Sequence, residues 1–597
     1  MTRQRLGVRQ SPGAVESGGD SKKLQVPHAQ GIPDRQSVHL WFHDHVLPGL
    51  IFEDEHILVF NKPPGLNTHA PSPYAGEGLY DWLRHREPRW KNLAIIHRLD
   101  KETSGVILFG KTALANRSLT KQFAKRTVRK IYLLLTDRAA PQKPITVRSD
   151  LRRVGDKYVF RLPLAGQQPA ETEFEPAFDP ALFDPLTGTA SGNASPHQVR
   201  AKPLTGRTHQ IRVHAAQKGF PILGDVLYGG SPARRVYLHA AELVIHHPAS
   251  GEEIKFEAPA DFSTDPIYTL RDALIEQEST NAYRLVHGAS DGTPNWYIDR
   301  LGDYLLSQHE QPLNNTLRAE LGTISQRLSS RSAYHKVLSK QVRCSDRAGA
   351  SPQLVQGQAA APVFVVRENG LQFELSFEEG YSVGLFLDQR DNRRRLMNRH
   401  VAARFPLLCA ADRQEGVAGQ PESRPALLNT FAYTCGFSLC AAKSGFVTTS
   451  LDLSKKYLEW GKRNFLRNHV DPQQHQFIHG DVFDWLRRLT KQRRAFQVIL
   501  LDPPTFSQSK HSGVFRADQD YSSLVKAALP LLQPGGVLFC STNAARWRPE
   551  EFLAGIEAAA NASGKRILQK HYAPQPPDFP VSRAEPAYLK TVWLKVE

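Results

Sequence analysis

Asp100 stands in Ile96-His97-Arg98-Leu99-Asp100-Lys101-Glu102-Thr103-Ser104-Gly105, a charged stretch between apolar segments. An aspartate at such a turn is ordinarily a cap or turn residue. Two further segments gather cations, histidines and aromatics in a way that turns alone do not require. One is Phe123-Ala124-Lys125-Arg126-Thr127-Val128-Arg129-Lys130-Ile131-Tyr132. The other is Gly206-Arg207-Thr208-His209-Gln210-Ile211-Arg212-Val213-His214, followed by Gly224-Asp225 and Tyr228-Gly229. An ionised aspartate in a closed, partly desolvated site needs a positive partner to stay charged. His97, His209 and His214 raise the question of a metal, but they sit in different motifs without a carboxylate at ligand spacing, so no metal is expected.

The C-terminal half carries a second set. The GxGxxG phosphate-binding pattern is missing, which removes the main support for an NAD-dependent oxidoreductase. In its place stands Asn429-Thr430-Phe431-Ala432-Tyr433-Thr434-Cys435-Gly436-Phe437, with the single glycine Gly436 at a strand-to-helix turn. Asp452 ends the next strand, where a carboxylate can accept ribose hydroxyls. Asp481, in Gly480-Asp481-Val482, ends a third and could hold an adenine amino group. Asp502 opens Asp502-Pro503-Pro504-Thr505-Phe506 after a fourth. Any one of these is equally a helix N-cap. Together they mark the carboxyl ends of strands, where open α/β sheets bind ligands.

The elements that must position these residues follow from periodicity. Ile51 to Phe60 places two apolar stretches around a charged turn, like a hairpin; Val106 to Phe109 reads as a buried strand, Ala113 to Lys125 as a helix and Ile131 to Leu135 as a strand. From Leu427 the rhythm becomes strand, helix, strand, helix, which implies a mostly parallel sheet covered on both faces. The predicted organisation is a disordered basic arm at 1–38, a first catalytic domain at 39–270, a small central RNA-binding-like domain at 271–340, a linker at 341–362 rich in Ala, Gly, Gln and Ser, and a second catalytic domain at 363–597. A chain of 597 residues is too long for one core. The net charge of +17 favours a polyanionic partner. Five cysteines without a CxxC pair argue against a disulfide scaffold or structural zinc. The absence of a long apolar run or a secretory h-region predicts no membrane span and a cytoplasmic location.

The N-terminal motifs, with Asn61-Lys62-Pro63-Pro64-Gly65, resemble the RluA-type pseudouridine synthase family over about residues 47–260. The resemblance implies an α+β mixed-sheet domain that detaches uracil from C1′, turns it over and rejoins it through C5, with no cofactor and no metal. It makes Asp100 the catalytic carboxylate, either nucleophile at the sugar or base at C2′. It makes Arg212 the bidentate charge partner of that carboxylate, Tyr132 the residue stacked on the base and a candidate acceptor of the C5 proton, and Arg98 the wedge that fills the gap left by the flipped uridine. Arg207 and His209 fall among the RNA contacts.

The C-terminal strand ends resemble the class I S-adenosylmethionine methyltransferases, with an α/β Rossmann-like fold. The closer likeness is to the large-subunit rRNA group of RlmI/RlmK type, carried by Gly384-Leu385-Phe386-Leu387-Asp388-Gln389-Arg390-Asp391-Asn392-Arg393, Tyr457-Leu458-Glu459-Trp460 and Asp502 to Lys510. Tyr283-Arg284-Leu285-Val286, Asp291-Gly292 and Asp299-Arg300 resemble that group's small α+β central domain. The likeness implies a cofactor site of Phe431, Tyr433, Gly436, Asp452, Asp481 and Asp502, with Asp502, Pro503, Pro504 and Phe506 on the target base. Cytosine C5 methylation would need a thiolate. Cys540 is one residue out of register for that task, which turns a strand side chain to the other face. Cys540 then reads as a small core residue, and guanine as the favoured base. The implied whole is a multidomain, bifunctional enzyme acting on RNA, with large-subunit rRNA the favoured substrate. An RNA-binding or assembly factor with one inactive half is the rival. An NAD-dependent oxidoreductase would leave residues 47–260 unexplained.

Overall fold

The computed structural model describes residues 47–163, 168–177, 196–338, 351–379, 382–408, 424–509, 513–544 and 547–597. The expected basic arm at 1–38 lies outside them, as do Cys344, Cys409 and Lys510. Among the described residues no helix is long and apolar enough to cross a membrane.

Residues 50–257 build an eleven-stranded sheet. The opening hairpin pairs Leu50–Glu53 with Ile57–Lys62, and Asp54 closes its turn by accepting from the amides of His56 and Ile57, both at 2.7 Å. Nearly every neighbour pair is antiparallel. The exception is the seam at which Ser104–Gly110 runs parallel to Leu238–His246 through His239↔Ser104 and Ala240↔Gly105. Gly105 has φ +111°, and a Cβ there would stand 2.2 Å from the Ala240 carbonyl oxygen, so only glycine lets the strands close. The segment holding Asp100 runs directly into this seam. Helix Ala113–Lys125, capped by Thr112, covers one face, and helix Gln210–Gln217 sends Ile211 and Ala215 into a core with Leu134, Phe174 and Phe220 on the other lobe.

The central unit is a five-stranded sheet, with helix Asn315–Arg327 crossing between the parallel neighbours Tyr304–His309 and Ser332–Val337. Its last strand, Gln353–Gly357, pairs with Ser332–Val337 and lies within the stretch expected to be a linker at 341–362. That expectation is corrected here. Composition marked the segment as polar and small, and an edge strand needs only one face packed.

The C-terminal sheet has seven strands. Five are parallel, in the spatial order Gln476–His479, Val447–Asp452, Ala426–Thr430, Phe496–Leu501, Leu532–Thr542; Lys590–Val596 and Ile567–Tyr572 complete it antiparallel. Strand order reverses between Ala426–Thr430 and Phe496–Leu501, which opens the crevice where such sheets bind ligands.

Helix Arg390–Met397 joins the two catalytic halves. Its four arginines are buried and each meets a carboxylate: Arg390 with Asp578, Arg393 with Glu368, Arg394 with Glu87 and Arg395 with Glu77. Glu77 and Glu87 come from the N-terminal half. Trp82 from the same half donates its indole N–H to Asp391 at 2.9 Å, and Arg86 pairs with Glu276 at 2.7 Å.

Candidate active sites

The N-terminal site is a cleft of about 870 Å³ at the amino-terminal end of the two seam strands. Six Lys and Arg side chains line it, namely Arg98, Lys101, Arg126, Lys130, Arg207 and Arg212, and Asp100 is the one carboxylate among its lining residues. Asp100 is held by its loop rather than by direct contacts. Thr68 Oγ1 donates to the Leu99 carbonyl at 2.8 Å and accepts from the Leu99 amide at 3.1 Å. The buried Lys62 ammonium donates to the carbonyls of Pro63, Leu66 and Lys101 at 2.9, 2.7 and 3.1 Å. Burial draws the Lys62 pKa down to about 7. The Asn61 to Gly65 motif thus pins the backbone one residue past Asp100.

Arg212 lies beside Asp100, but not as the resemblance implied. Its Nη1 is 3.8 Å from Asp100 Oδ2, whereas Nε and Nη2 form a bidentate pair with Asp225 at 2.7 Å each. The fork is therefore committed to Asp225, and Asp100 receives only the remaining edge. The physical reason is burial: the Asp225 side chain is 1% exposed and cannot stay ionised alone. The Arg212 guanidinium also lies 5.1 Å over the Tyr228 ring. Tyr228 Oη is 2.7 Å from His209 Nδ1, and His209 Nε2 is 3.9 Å from Asp100. Burial lowers the His209 pKa, against the raising effect of Asp100. Asp225, Tyr228 and Lys62 were visible in the motifs but had no task attached to them.

Tyr132 lines the cleft, and burial followed by the Asp100 charge raises its phenol pKa, so the hydroxyl stays protonated. Arg98 and Arg207 are exposed at the rim. Lys130, inside the cleft, has its pKa drawn down to about 8 by burial and by Arg126. His97 accepts from the Leu108 amide at 3.1 Å and stacks on Phe123. His214 lies between Ser149 and Thr172. The three histidines of the motifs do not converge.

In the C-terminal half the strand ends converge at the crevice. The turn after Ala426–Thr430 is tighter than its single glycine suggests. Phe431, Tyr433 and Cys435 adopt φ of 58°, 48° and 61°, while Gly436 is the buried first residue of helix Gly436–Lys443. Non-glycine residues stay in that region only where surroundings enforce it. Here the Ala432 amide bonds the Leu451 carbonyl at 2.9 Å, the Tyr433 amide bonds Asp452 Oδ2 at 2.8 Å, and Thr434 Oγ1 donates to the Gly384 carbonyl at 2.6 Å. Asp452 accepts one further bond, from the Ser454 amide at 2.8 Å, and burial raises its pKa. Asp481 is buried and caps helix Val482–Lys491 through the Asp484 amide at 3.2 Å.

Asp502 takes two long contacts from Gln389 Nε2, at 3.4 Å each, and the Ser541 side chain also bonds to it. The Gln389 amide is committed to Ser541 Oγ at 2.8 Å. Burial, with the Asp388 charge, pushes the Asp502 pKa up to about 6. Pro503 is buried, Pro504 exposed and Phe506 half-buried behind it. Gln389 is a supporting residue that its motif did not reveal. Cys540 is fully buried in a core with Leu538, Val592 and Leu594, and burial pushes its thiol up. Cys435 and Cys440 are buried as well.

A carboxylate oxygen can accept two hydrogen bonds. Asp452 and Asp502, at the ends of two parallel strands of the same sheet, therefore keep spare acceptor capacity, which suits the hydroxyl and amino donors of a nucleoside cofactor.

The family described as RNA pseudouridylate synthase matches residues 56–217, and the family described as S-adenosylmethionine-dependent methyltransferase matches residues 295–594. A ribosomal RNA large subunit methyltransferase of Deinococcus radiodurans is 32% identical over 324 residues, covering 53% of this chain and 73% of that protein. The ribosomal large subunit pseudouridine synthase C of Salmonella typhi is 34% identical over 261 residues, covering 41% of this chain and 77% of that protein. The synthase C of Escherichia coli shows the same identity and coverage. The chain therefore belongs to two families at once, the RNA pseudouridylate synthases through its N-terminal half and the S-adenosylmethionine-dependent methyltransferases through its C-terminal half.

Proposed function

We propose that this enzyme modifies large-subunit ribosomal RNA twice, isomerising a uridine at the Asp100 cleft and methylating a base at the Asp502 crevice. The observation that carries the first half is the charge of the cleft: one carboxylate among six Lys and Arg side chains. An RNA strand entering it neutralises those cations with its phosphates, and the target base must leave its stack to reach Asp100. Arg98 fills the vacated position, while Arg207 and His209 hold the flanking backbone. Asp100 breaks the C1′–N1 bond as nucleophile or as base at C2′. Arg212, fixed by Asp225, favours the ionised carboxylate at that step. Tyr132 stacks on the freed uracil, which rejoins through C5; the C5 hydrogen leaves and N1 regains a proton, so the product is an isomer. No cofactor enters this half.

For the second half, Asp452 would accept the ribose hydroxyls of S-adenosylmethionine and Asp481 its adenine amino group. The turn from Phe431 through Tyr433 to Gly436 would cradle the rest of the cofactor. When bound, S-adenosylmethionine supplies an electrophilic methyl group. Asp502 and the Pro503 and Pro504 carbonyls hold the target base, and Phe506 stacks on it. Guanine is the favoured base, because a nitrogen nucleophile needs no thiolate and the three cysteines among the described residues, Cys435, Cys440 and Cys540, are buried. Both halves keep the residues their readings require, Asp100, Tyr132 and Arg212 in one and Asp452 and Asp502 in the other, which disfavours an assembly factor with one dead half.

Asp100→Asn is the direct test. Pseudouridine is expected to vanish from RNA treated with the variant while methyl transfer continues. Loss of both activities in a folded variant would overturn the assignment of separate sites.

A further inference from the structure

Glu77 precedes helix Leu79–Arg86, and His85 lies in its last turn. His571 lies on strand Ile567–Tyr572 of the C-terminal sheet. One donor atom from each of the three lies within 4.8 Å of the others. The two imidazoles meet edge to face with ring centres 4.5 Å apart. His571 Nε2 is buried without a hydrogen-bond partner among the described residues. An orphaned buried nitrogen forfeits its hydration with nothing in return, and such atoms call for an explanation. We propose that Glu77, His85 and His571 form a divalent-metal site, suited to zinc by its donors, that staples the two catalytic halves together.

The donor set is that of a borderline cation, two imidazoles and one carboxylate. His85 Nδ1 and Arg395 Nη2 both contact the same carboxylate oxygen, Glu77 Oε1, at 2.6 and 3.3 Å. Neither contact uses Oε2, which is left to an ion. Neutral imidazole is the form that ligates, and His400 is a further ring near His571. His400 is itself committed to the Arg84 carbonyl at 2.9 Å. A fourth position remains for water. The site lies apart from the motif histidines His97, His209 and His214, on which the expectation of no metal rested.

The test uses the full-length chain after removal of metals by a chelator. Titration with zinc is expected to show one equivalent bound per chain and a rise in thermal stability. Cobalt in place of zinc is expected to give visible absorption of a four-coordinate ion. His571→Gln and His85→Gln are each expected to weaken zinc binding by no less than the roughly 10–100-fold that loss of even an outer-shell partner costs. A chain that binds no zinc, or one whose binding is unchanged by both substitutions, overturns the proposal. Should the variants fail to fold, zinc-edge X-ray absorption of the unaltered chain decides. A shell with two imidazoles supports the site, and one without them overturns it.

Discussion

Asp225→Asn tests the argument that the synthase cleft is organised by a pair that sequence comparison did not single out. The two side chains are 8% and 1% exposed and share two bonds of 2.7 Å. Removing one partner of such a pair strands a buried charge, at about 3–5 kcal/mol. The amide keeps one acceptor for the guanidinium, which sets the expectation near the lower end, about 3 kcal/mol. For a unit of the size of the N-terminal sheet domain this lowers its unfolding midpoint by about 6–12 °C. The C-terminal domain should be spared, so calorimetry should show one transition moving. Arg212 would also lose the contact that aims it past Asp100, and misplacement by about 1 Å costs on the order of 100-fold in rate. Release of tritium from RNA labelled at uridine C5 reads that loss, while methyl transfer from labelled S-adenosylmethionine should hold. The double change Arg212→Met with Asp225→Leu separates the two effects, because an apolar pair replaces the ion pair without a stranded charge. It should recover the midpoint and stay inactive in isomerisation. An Asp225→Asn protein with an unmoved transition and full tritium release would refute the reasoning.

Further outcomes follow from the same geometry. Asp502 has a folded-state pKa of about 6, above the ordinary 3.8. Its charge therefore penalises folding above pH 6, and the penalty fades as the pH falls towards 3.8. In cofactor-free protein Asp502→Asn should be more stable than the parent by about 2–3 kcal/mol at pH 7.5, with the gap closing below pH 4 in urea unfolding; a gap independent of pH contradicts the burial argument. Cys540→Ala should cost about 1 kcal/mol of stability and leave methyl transfer in place, whereas a folded but inactive variant would restore the cytosine C5 reading. Gly105→Ala should break the parallel seam, since its Cβ would stand 2.2 Å from the Ala240 oxygen at φ +111°. Isomerisation should then fail while methyl transfer survives, and a variant with normal tritium release would remove the seam from the account.

Much of the architecture was legible because its signals are local. The helix Ala113–Lys125 has the bounds its periodicity gives, and the strand before Asp502 carries the apolar run Val498 to Leu501, as a buried parallel strand does. Gln353–Gly357 was hidden because its two apolar residues, Leu354 and Val355, are adjacent, one exposed and one half-buried, so this edge strand has no alternation to read. The turn after Thr430 misled in a different way. A single glycine suggested the point of tight turning, yet three non-glycine residues take positive φ there, held by hydrogen bonds to strands and loops elsewhere in the sequence.

What the sequence by itself determined is the inventory: a carboxylate in a basic cleft, acidic strand ends at an α/β crevice, and two catalytic units in one chain. Motif spacing carries that information because each motif is a contiguous element whose residues travel together. Only the tertiary structure decided the partners. Arg212 is equally able to fork onto Asp100 or Asp225, and the choice fell to the carboxylate with less water around it. The four arginines of helix Arg390–Met397 are all buried, each against a carboxylate, two of them from the other half of the chain. Pairing of charges depends on which groups lose solvent together, and that is settled only when remote parts of the chain pack.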